Sequence, residues 1–464
     1  MINSIQCLID ESRIWELITA AEKKQSQIPG IIEGIQNNKG LTVEEAAVLL
    51  GNANPQQWEE IFARARAVKE AIYGNRIVIF APLYLSNHCV NHCTYCGYHA
   101  GSGIPRRKLT TAEIAAEVTA LEQMGHKRLA VETGEDPDNC PIDFVIEALE
   151  TIYQVRTHHG NIRRVNVNIA ATTVADYQRL KQAGIGTYIL FQETYHRPSY
   201  QQYHPAGPKG DYDWHLTAFD RAMAAGIDDV GSGVLFGLYD YRYELIALLL
   251  HAAYLEKTFG FGPHTVSVPR LRPAQGVALS EYPYLVPDAD FAKIIALIRI
   301  ALPYTGIILS TRESPALREQ LLQLGVTQIS AGSCTGVGGY SQKNNGSTAT
   351  AQFQVEDHRA PDDIYSQLCR DGYLPSFCTA CYRQGRTGDR FMSLAKTGEI
   401  GSICRPNAIL TFQEYLLDYA SNETRFWGEQ QLAKELNRIT EPRLRWDLQN
   451  KLARIVNGER DLYY

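Results

Sequence analysis

The 464-residue chain is 45% hydrophobic and 21% charged, with a formal net charge of -6. That balance gives a sizeable core and lacks the basic surplus that a nucleic-acid or acidic-membrane partner would select. The most apolar stretch, residues 245–255, is too short to cross a bilayer. The N-terminus MINSIQCLIDESRIW has no basic region followed by an apolar core, so a cytoplasmic protein is expected.

Residues 10–74 read as helical, with Trp58, Ile61, Phe62 and Ala65 at helical spacing and Gly74 closing the segment. Residues 77–81 form a short, β-rich apolar run that ends in a cysteine loop. Helices and strands then alternate. A helix opens at Thr110, with Glu113 completing a capping box, and stops at Gly125 before a strand at 128–132. The helix 144–156 leads to the strand 165–170, and 174–183 to 187–192. The helix 214–225 leads to the strand 230–235, and 245–257 to 264–268. The helix 291–300 leads to 306–310, and 316–324 to 328–331. Eight strands separated by helices predict a parallel α/β sheet, and their span matches a closed (β/α)8 barrel better than an open doubly wound sheet. The expected division is an N-terminal helical extension over 1–74, the barrel over 75–340, and a mainly helical C-terminal domain over 341–464 that carries a second cluster. The polar stretch SQKNNGSTATAQFQ after Ser341 reads as a loop.

Ten cysteines are unevenly spread: Cys89, Cys93 and Cys96 crowd into eight residues, and Cys378, Cys381 and Cys404 lie near the end. In a reducing compartment such grouping points to metal or clusters rather than disulfides. Cys7, Cys140 and Cys369 have no partners in spacing and read as structural. The run CVNHCTYCGYH follows the first barrel strand at its C-terminal end, where barrel active sites form. Three closely spaced thiolates there can hold three corners of a 4Fe-4S cube. The fourth iron can then chelate the amino and carboxylate groups of S-adenosylmethionine and pass an electron to its sulfonium, the source of a 5′-deoxyadenosyl radical. A zinc site completed by His88, His92 or His99, or a set of inert thiols, is the competing reading. The spacing CxxxCxxC, with the aromatic Tyr95 before the last cysteine, favours the radical one. The second strand ends in Thr133-Gly134-Glu135, similar to the Gly-Gly-Glu with which radical S-adenosylmethionine enzymes bind the cofactor's amino group. The first glycine is replaced, and the carboxylate of Glu135 is kept. The later CxxC plus Cys404 leaves one position open if the metal is iron–sulfur, and no fourth zinc ligand lies beside it. A second, auxiliary cluster is expected, at the far end of a C-terminal domain placed over the barrel mouth.

The cysteine loop, the strand-end TGE, and the segments FQETYHRPSYQQYHPAGPKGDYDWH, FGPHTVSVPRLRPAQG and CTACYRQGRTGDRFM together resemble the tyrosine lyase maturases of iron-only (FeFe) hydrogenase. The match runs from near residue 75 to beyond Cys404. The thiamine-pathway tyrosine lyase, or 2-iminoacetate synthase, is the near relative and lacks the second three-cysteine pattern. The resemblance implies cleavage of the Cα–Cβ bond of L-tyrosine to p-cresol and dehydroglycine. It further implies formation of carbon monoxide and cyanide on the auxiliary cluster, and their loading with cysteine onto an extra iron that leaves as a synthon. It implies other hydrogenase maturation proteins as partners, and an electron donor such as ferredoxin or flavodoxin. It assigns His264 to the extra iron.

Arg270 and Arg272, past the sixth strand, and Arg312, past the seventh, are candidates for the carboxylates of tyrosine and cofactor, since a guanidinium offers a two-pronged match. Tyr95, Glu135, Gln192 and Glu193 are candidate cofactor-binding residues. Ser333, Cys334 and the glycines Gly336, Gly338 and Gly339 form a weaker signal for a ligand-approaching turn. A non-catalytic iron–sulfur carrier is the reading from another class, and it needs neither an eight-unit barrel nor Glu135.

Overall fold

The computed structural model describes residues 4–36, 39–341 and 350–464. Eight parallel strands close into a barrel: β1 (Arg76–Ser86), β2 (Arg128–Thr133), β3 (Arg164–Asn168), β4 (Tyr188–Glu193), β5 (Val230–Val234), β6 (Thr265–Ser267), β7 (Gly306–Leu309) and β8 (Gln328–Ser330). Closure falls on β1, which pairs with β8 through residues 78–80 and with β2 from Ala81 onward. The barrel expected from the alternation is therefore the architecture found, and the open sheet is not. A ninth strand, β9 (Leu374–Ser376), runs parallel against Arg76 to Val78 of β1. Three residues with a central proline carry no period, so nothing in the pattern marks it.

Local chemistry explains the element ends. The hydroxyl of Thr110 accepts the N–H of Glu113 at 3.3 Å, and the Glu113 carboxylate accepts the N–H of Thr110 at 2.8 Å, the reciprocal cap expected there. The expected helix 214–225 is instead two, Tyr212–Leu216 and Ala218–Ala224. The break is at Thr217, whose hydroxyl donates to the carbonyl of Asp213 at 2.7 Å and competes with the helical ladder. A further helix, Arg197–Tyr203, follows β4 and was not expected; its N-cap is His196, whose ring accepts from the N–H of Ser199.

The long helix Tyr241–Phe259 is apolar on nearly every face because the N-terminal helices cover its outer side. Trp15 packs on Tyr239 and Tyr243 there, and the extension shares one continuous core with the barrel. The C-terminal helices Pro361–Arg370, Gly388–Thr397, Ile400–Asp418, Asn422–Asn437 and Pro442–Val456 correct one expectation. They sit at the N-terminal ends of the strands, not over the mouth. Asn75, Lys127 and Arg163, each the residue before β1, β2 or β3, bind Glu435 at 2.9 Å, Tyr419 at 2.9 Å and Glu414 at 2.7 Å. β9 gives the physical reason, since pairing with the start of β1 commits the chain after it to the floor of the barrel. Residues 342–349 of the expected polar loop lie outside the described residues. Among the described residues no helix is long and apolar enough to cross a membrane.

Beyond that stretch, Asp357 ties the chain back to the barrel. Its fully buried carboxylate pairs with buried Arg318, which also donates to the Ser330 carbonyl at 2.6 Å, and with Arg359 at 2.8 Å. Removing one partner of a buried pair strands the other charge. Asp357→Ala is expected to lower the unfolding free energy by about 3–5 kcal/mol, read as a lower urea midpoint at unchanged slope.

Candidate active site and auxiliary centre

Two cavities occupy opposite ends of the barrel. The upper one collects alternate, inward-facing residues near the C-terminal strand ends: Pro82 and Tyr84 from β1, Ala130 and Glu132 from β2, Asn166 and Asn168 from β3. It also takes in Cys89, Cys93 and Cys96. The cysteine loop is clasped from three sides. The N–H groups of His92 and Thr94 donate to the carbonyls of Ala206 and Tyr203, each at 3.0 Å. The N–H of Val90 donates to the carbonyl of Glu135 at 2.8 Å, and that of Gly97 to Gln352 at 3.0 Å. Gly134 is required for this approach: a Cβ there would lie 2.2 Å from the His88 carbonyl oxygen and 3.0 Å from the Cys89 Cβ. The glycine of TGE thus packs the loop, while Glu135 faces the cavity and accepts from Asn91 at 2.6 Å.

Burial pushes the thiol of Cys93 up and that of Cys96 up to about 11. The sulfur of Cys96 accepts the N–H of Tyr98 at 3.4 Å and the Gln352 amide at 3.8 Å, contacts that favour a thiolate. Tyr95 lines the cavity with its ring, while its hydroxyl is spent on Nε2 of His204 at 2.7 Å. The Nδ1 of His204 faces the Tyr200 carbonyl at 2.7 Å, and burial holds this imidazole neutral, so Nδ1 donates and Nε2 accepts. Glu193 sits at a β-bulge with φ of 67°, a strained value for a non-glycine. That turn aims its carboxylate at Lys209, 2.6 Å away.

The candidate carboxylate binders separate. Arg270 is buried outside the cavity lining, saturated by Glu313, by Asp288 at 2.8 Å and by the Val286 carbonyl at 2.8 Å. Arg272 is bound to the same Glu313 at 2.5 Å. Arg312 lines the cavity, lies over the Phe353 ring at 3.2 Å and carries no carboxylate. Gln192 is not a lining residue; its Nε2 is buried without a partner. Lys209, Asn91, Asn168 and Gln352 have polar roles here that sequence reasoning missed: Asn91 and Lys209 stand within quoted segments but away from their cysteines and strand-end carboxylates, and Asn168 and Gln352 belong to no motif. Ser333 and Thr335 do reach the cavity wall, while the sulfur of Cys334 is held against the chain at Gly336 and Gly339.

The lower cavity brings Cys378, Cys381 and Cys404 together beneath the strand starts. Cys381 opens into a one-turn helix, Ala380–Arg383, and Cys404 stands in the helix Ile400–Asp418. His264 faces the same cavity. It precedes β6 rather than opening it, pinned by its N–H to Val230 and its carbonyl to Gly306, each at 2.9 Å. Its ring packs on Phe391, and Nδ1 is 3.7 Å from Asp229. Burial lowers its pKa, which keeps the imidazole neutral and able to ligate. Hydrogen bonding from Cys381, then Arg76, lowers the Cys404 thiol against the opposing effect of burial.

Both donor sets fit the groups they would hold. Among the described residues no three His, Cys, Asp or Glu side chains converge on a single-ion site. Each triad instead surrounds a cavity, the layout a multi-atom cube needs. The lower cavity is also cationic: Arg76 and Arg128, the first residues of β1 and β2, keep buried guanidinium nitrogens with no partner. Burial brings Arg128 down to about 9. Buried guanidiniums with nitrogens to spare, one of them beside the Cys404 thiol, call for an anion, and a thiolate-ligated cluster supplies one. The signal was available in the sequence, since three successive strands begin with arginine, at 76, 128 and 164.

Comparison with known proteins agrees with this geometry. Residues 83–251 match the model of the radical SAM superfamily, and 267–374 that of the biotin and thiamin synthesis associated domain. A 2-iminoacetate synthase of Escherichia coli is 32% identical over 345 residues, covering 74% of this chain and 89% of the relative. A crystal structure of HydG, a maturase of the [FeFe]-hydrogenase, is 57% identical with a TM-score of 0.96, covering 98% of this chain and 100% of that one. The HydG maturase of Carboxydothermus hydrogenoformans is 40% identical with a TM-score of 0.85, covering 97% and 99%. The cofactors are accordingly S-adenosylmethionine, the 4Fe-4S cluster that binds it and a second, auxiliary iron–sulfur cluster. The chain belongs to the HydG family of [FeFe]-hydrogenase maturases, within the radical SAM superfamily.

Proposed function

We propose that this chain cleaves the Cα–Cβ bond of L-tyrosine to p-cresol and dehydroglycine, and that dehydroglycine gives carbon monoxide and cyanide at the auxiliary centre, for the iron synthon of the hydrogenase active site. The observation that carries this is two cysteine triads facing opposite ends of one lumen, with Gln328 lining both cavities. A lyase that simply released its product would need only the upper one. Resemblance to 2-iminoacetate synthase supports the simpler lyase as the second reading. Cys378, Cys381 and Cys404 set this chain apart from it.

The residues divide the work. Bound at Cys89, Cys93 and Cys96 with S-adenosylmethionine, the first cluster supplies a 5′-deoxyadenosyl radical. Glu135 takes the cofactor's amino group, and Arg312 takes a carboxylate at the other side of the cavity. Arg270 and Arg272 act through Glu313 to hold the loop after β6, not through substrate. The strand-end carboxylate of Glu193, fixed by Lys209, faces the ribose and methionine region. Below, Cys378, Cys381 and Cys404 hold the auxiliary cluster, and His264 offers a neutral ligand weak enough to let an added iron depart as product. L-tyrosine and cysteine are the small-molecule substrates, other maturation proteins receive the product, and a ferredoxin or flavodoxin in the cytoplasm supplies electrons.

Three outcomes test this reading. Replacing Cys89, Cys93 or Cys96 by Ala is expected to abolish both S-adenosylmethionine cleavage and cresol; near-parent cresol from any of the three refutes the radical assignment. The double variant Cys378→Ala with Cys381→Ala is expected to keep cresol and lose carbon monoxide, and parent-rate carbon monoxide from it would refute the auxiliary assignment. His264→Ala is expected to keep both cubes and cresol while the infrared bands of metal-bound carbonyl and cyanide vanish. Equal bands in variant and parent would make His264 an ordinary strand-end histidine.

A further inference from the structure

Three carboxylates line the upper cavity, and two have evident work. Glu193 is paired with Lys209, and Glu135 lies against the cysteine loop with Asn91. Glu132 is unexplained. It faces the lumen from β2, directly across the parallel register from Asn168, whose amide donates to it at 2.8 Å. Among the described residues no cation forms an ion pair with it. Arg312 reaches the same cavity from the far side of the barrel with no carboxylate on its guanidinium. The two sense each other's charge yet form no ion pair. Leaving an unmatched acid and an unmatched cation in one buried cavity is costly unless a ligand joins them. An α-amino acid is such a ligand, because its carboxylate and ammonium sit on one carbon with the opposite order of charge.

We propose that Glu132 is a catalytic residue that receives the α-ammonium of tyrosine and removes one proton from it, while Arg312 holds the α-carboxylate. The assignment rests on the tyrosine lyase reading. The step is a proton transfer alone. An N–H bond of the ammonium breaks, its electron pair stays on nitrogen as a lone pair, and the proton forms an O–H bond on Glu132. The neutral amine can then give up a hydrogen atom, because its lone pair stabilises the radical left behind; an ammonium has no lone pair to do so. Asn168 holds the carboxylate in place through either protonation state, since a carboxyl group retains an acceptor oxygen for the amide.

The electrostatics support a proton acceptor. Burial pushes Glu132 up to about 8, opposed by the Asn168 hydrogen bond and by Arg312. The groups facing it are Tyr84 from β1, Tyr98 from the cysteine loop, Glu193 from β4 and Arg312. Both tyrosines are themselves pushed well above their ordinary range by burial and stay neutral. Burial therefore sets the level of Glu132, and Arg312 is the cation that moderates it. A base near the pH of operation transfers a proton with little free-energy penalty in either direction.

The test is kcat/KM for p-cresol formation against pH, with loaded holoenzyme of the parent, Glu132→Gln and Glu132→Asp. kcat/KM reports the free enzyme, so the parent is expected to rise with pH and flatten near 8 as Glu132 ionises. Glu132→Gln keeps a partner for Asn168 but accepts no proton. It is expected to lose about 100-fold at neutral pH and to lack that rising limb, with the paramagnetic resonance signals of both clusters intact. Glu132→Asp is expected to restore the limb at a lower plateau, a rescue that a purely structural carboxylate would not give. A Gln variant with the parent's rate and limb overturns the assignment, as does an Asp variant no better than Gln. A parent that makes no cresol at any pH overturns the lyase reading itself, and this assignment with it.

Discussion

The single long strand β1 organises the molecule. Its 11 residues pair with β8 and β2 to close the barrel, and with β9 to seat the C-terminal helices. Its last residues launch the cysteine loop at the mouth, while its first residue, Arg76, points into the lower cavity. Because every strand of the barrel runs the same way, all C-terminal ends meet at one face and all N-terminal ends at the other. Parallel polarity thus yields two chemically distinct chambers from one sheet, with no second domain needed to separate them.

The chambers differ in how they handle charge. The upper one alternates acids and bases around an apolar wall, so that its ligands, each carrying both signs, meet partners on every side. The lower one is a basin of guanidinium groups at the starts of β1, β2 and β3, with the buried carboxylate of Asp229 3.8 Å from Arg164. Tyr382 closes it, stacked on Arg164 at 3.4 Å and donating to the Gly186 carbonyl at 2.5 Å. Such a buried, cationic chamber lowers the cost of gathering thiolates there and raises the cost of losing the anion they help to form.

The barrel and the two triads were legible in the sequence because each rests on a local signal. Apolar runs of four to six residues alternate with capped helices, and cysteines recur at fixed spacing. What stayed hidden depends on tertiary placement. β9 is too short to have a period, and without it nothing says whether the second triad lies above the barrel or below it. Arg270 and Arg272 look like ligands because two guanidiniums past a strand end usually would be; Glu313, four residues past the end of β7, binds both, and Asp288 takes the second charge of the pair. Gln192 and Glu193 are neighbours in sequence, and a bulge gives the cavity to Glu193 alone. Glu132 carries no signal of its own in the sequence, because it stands just before Thr133-Gly134-Glu135 and the motif's carboxylate is Glu135.

The lumen itself carries the last part of the argument. In many barrels bulky branched residues fill the interior in layers. Here the inward positions hold Ala130, Ser267, Ser310 and Ser330, with Gln328 between the two cavities. Gly231 and Gly306 have no room for more, since a Cβ on either would stand 2.7 Å from Thr265 or Gln328. On the proposed reading this economy of side chains leaves room between the two cavities. Gln328 is the side chain that a fragment leaving the upper cavity for the lower one would have to pass, and the guanidiniums of Arg76, Arg128 and Arg164 lie beyond it. The reaction's two halves would then be coupled by shape and charge, with the C-terminal helices acting to keep water from the fragment before it reaches the lower triad.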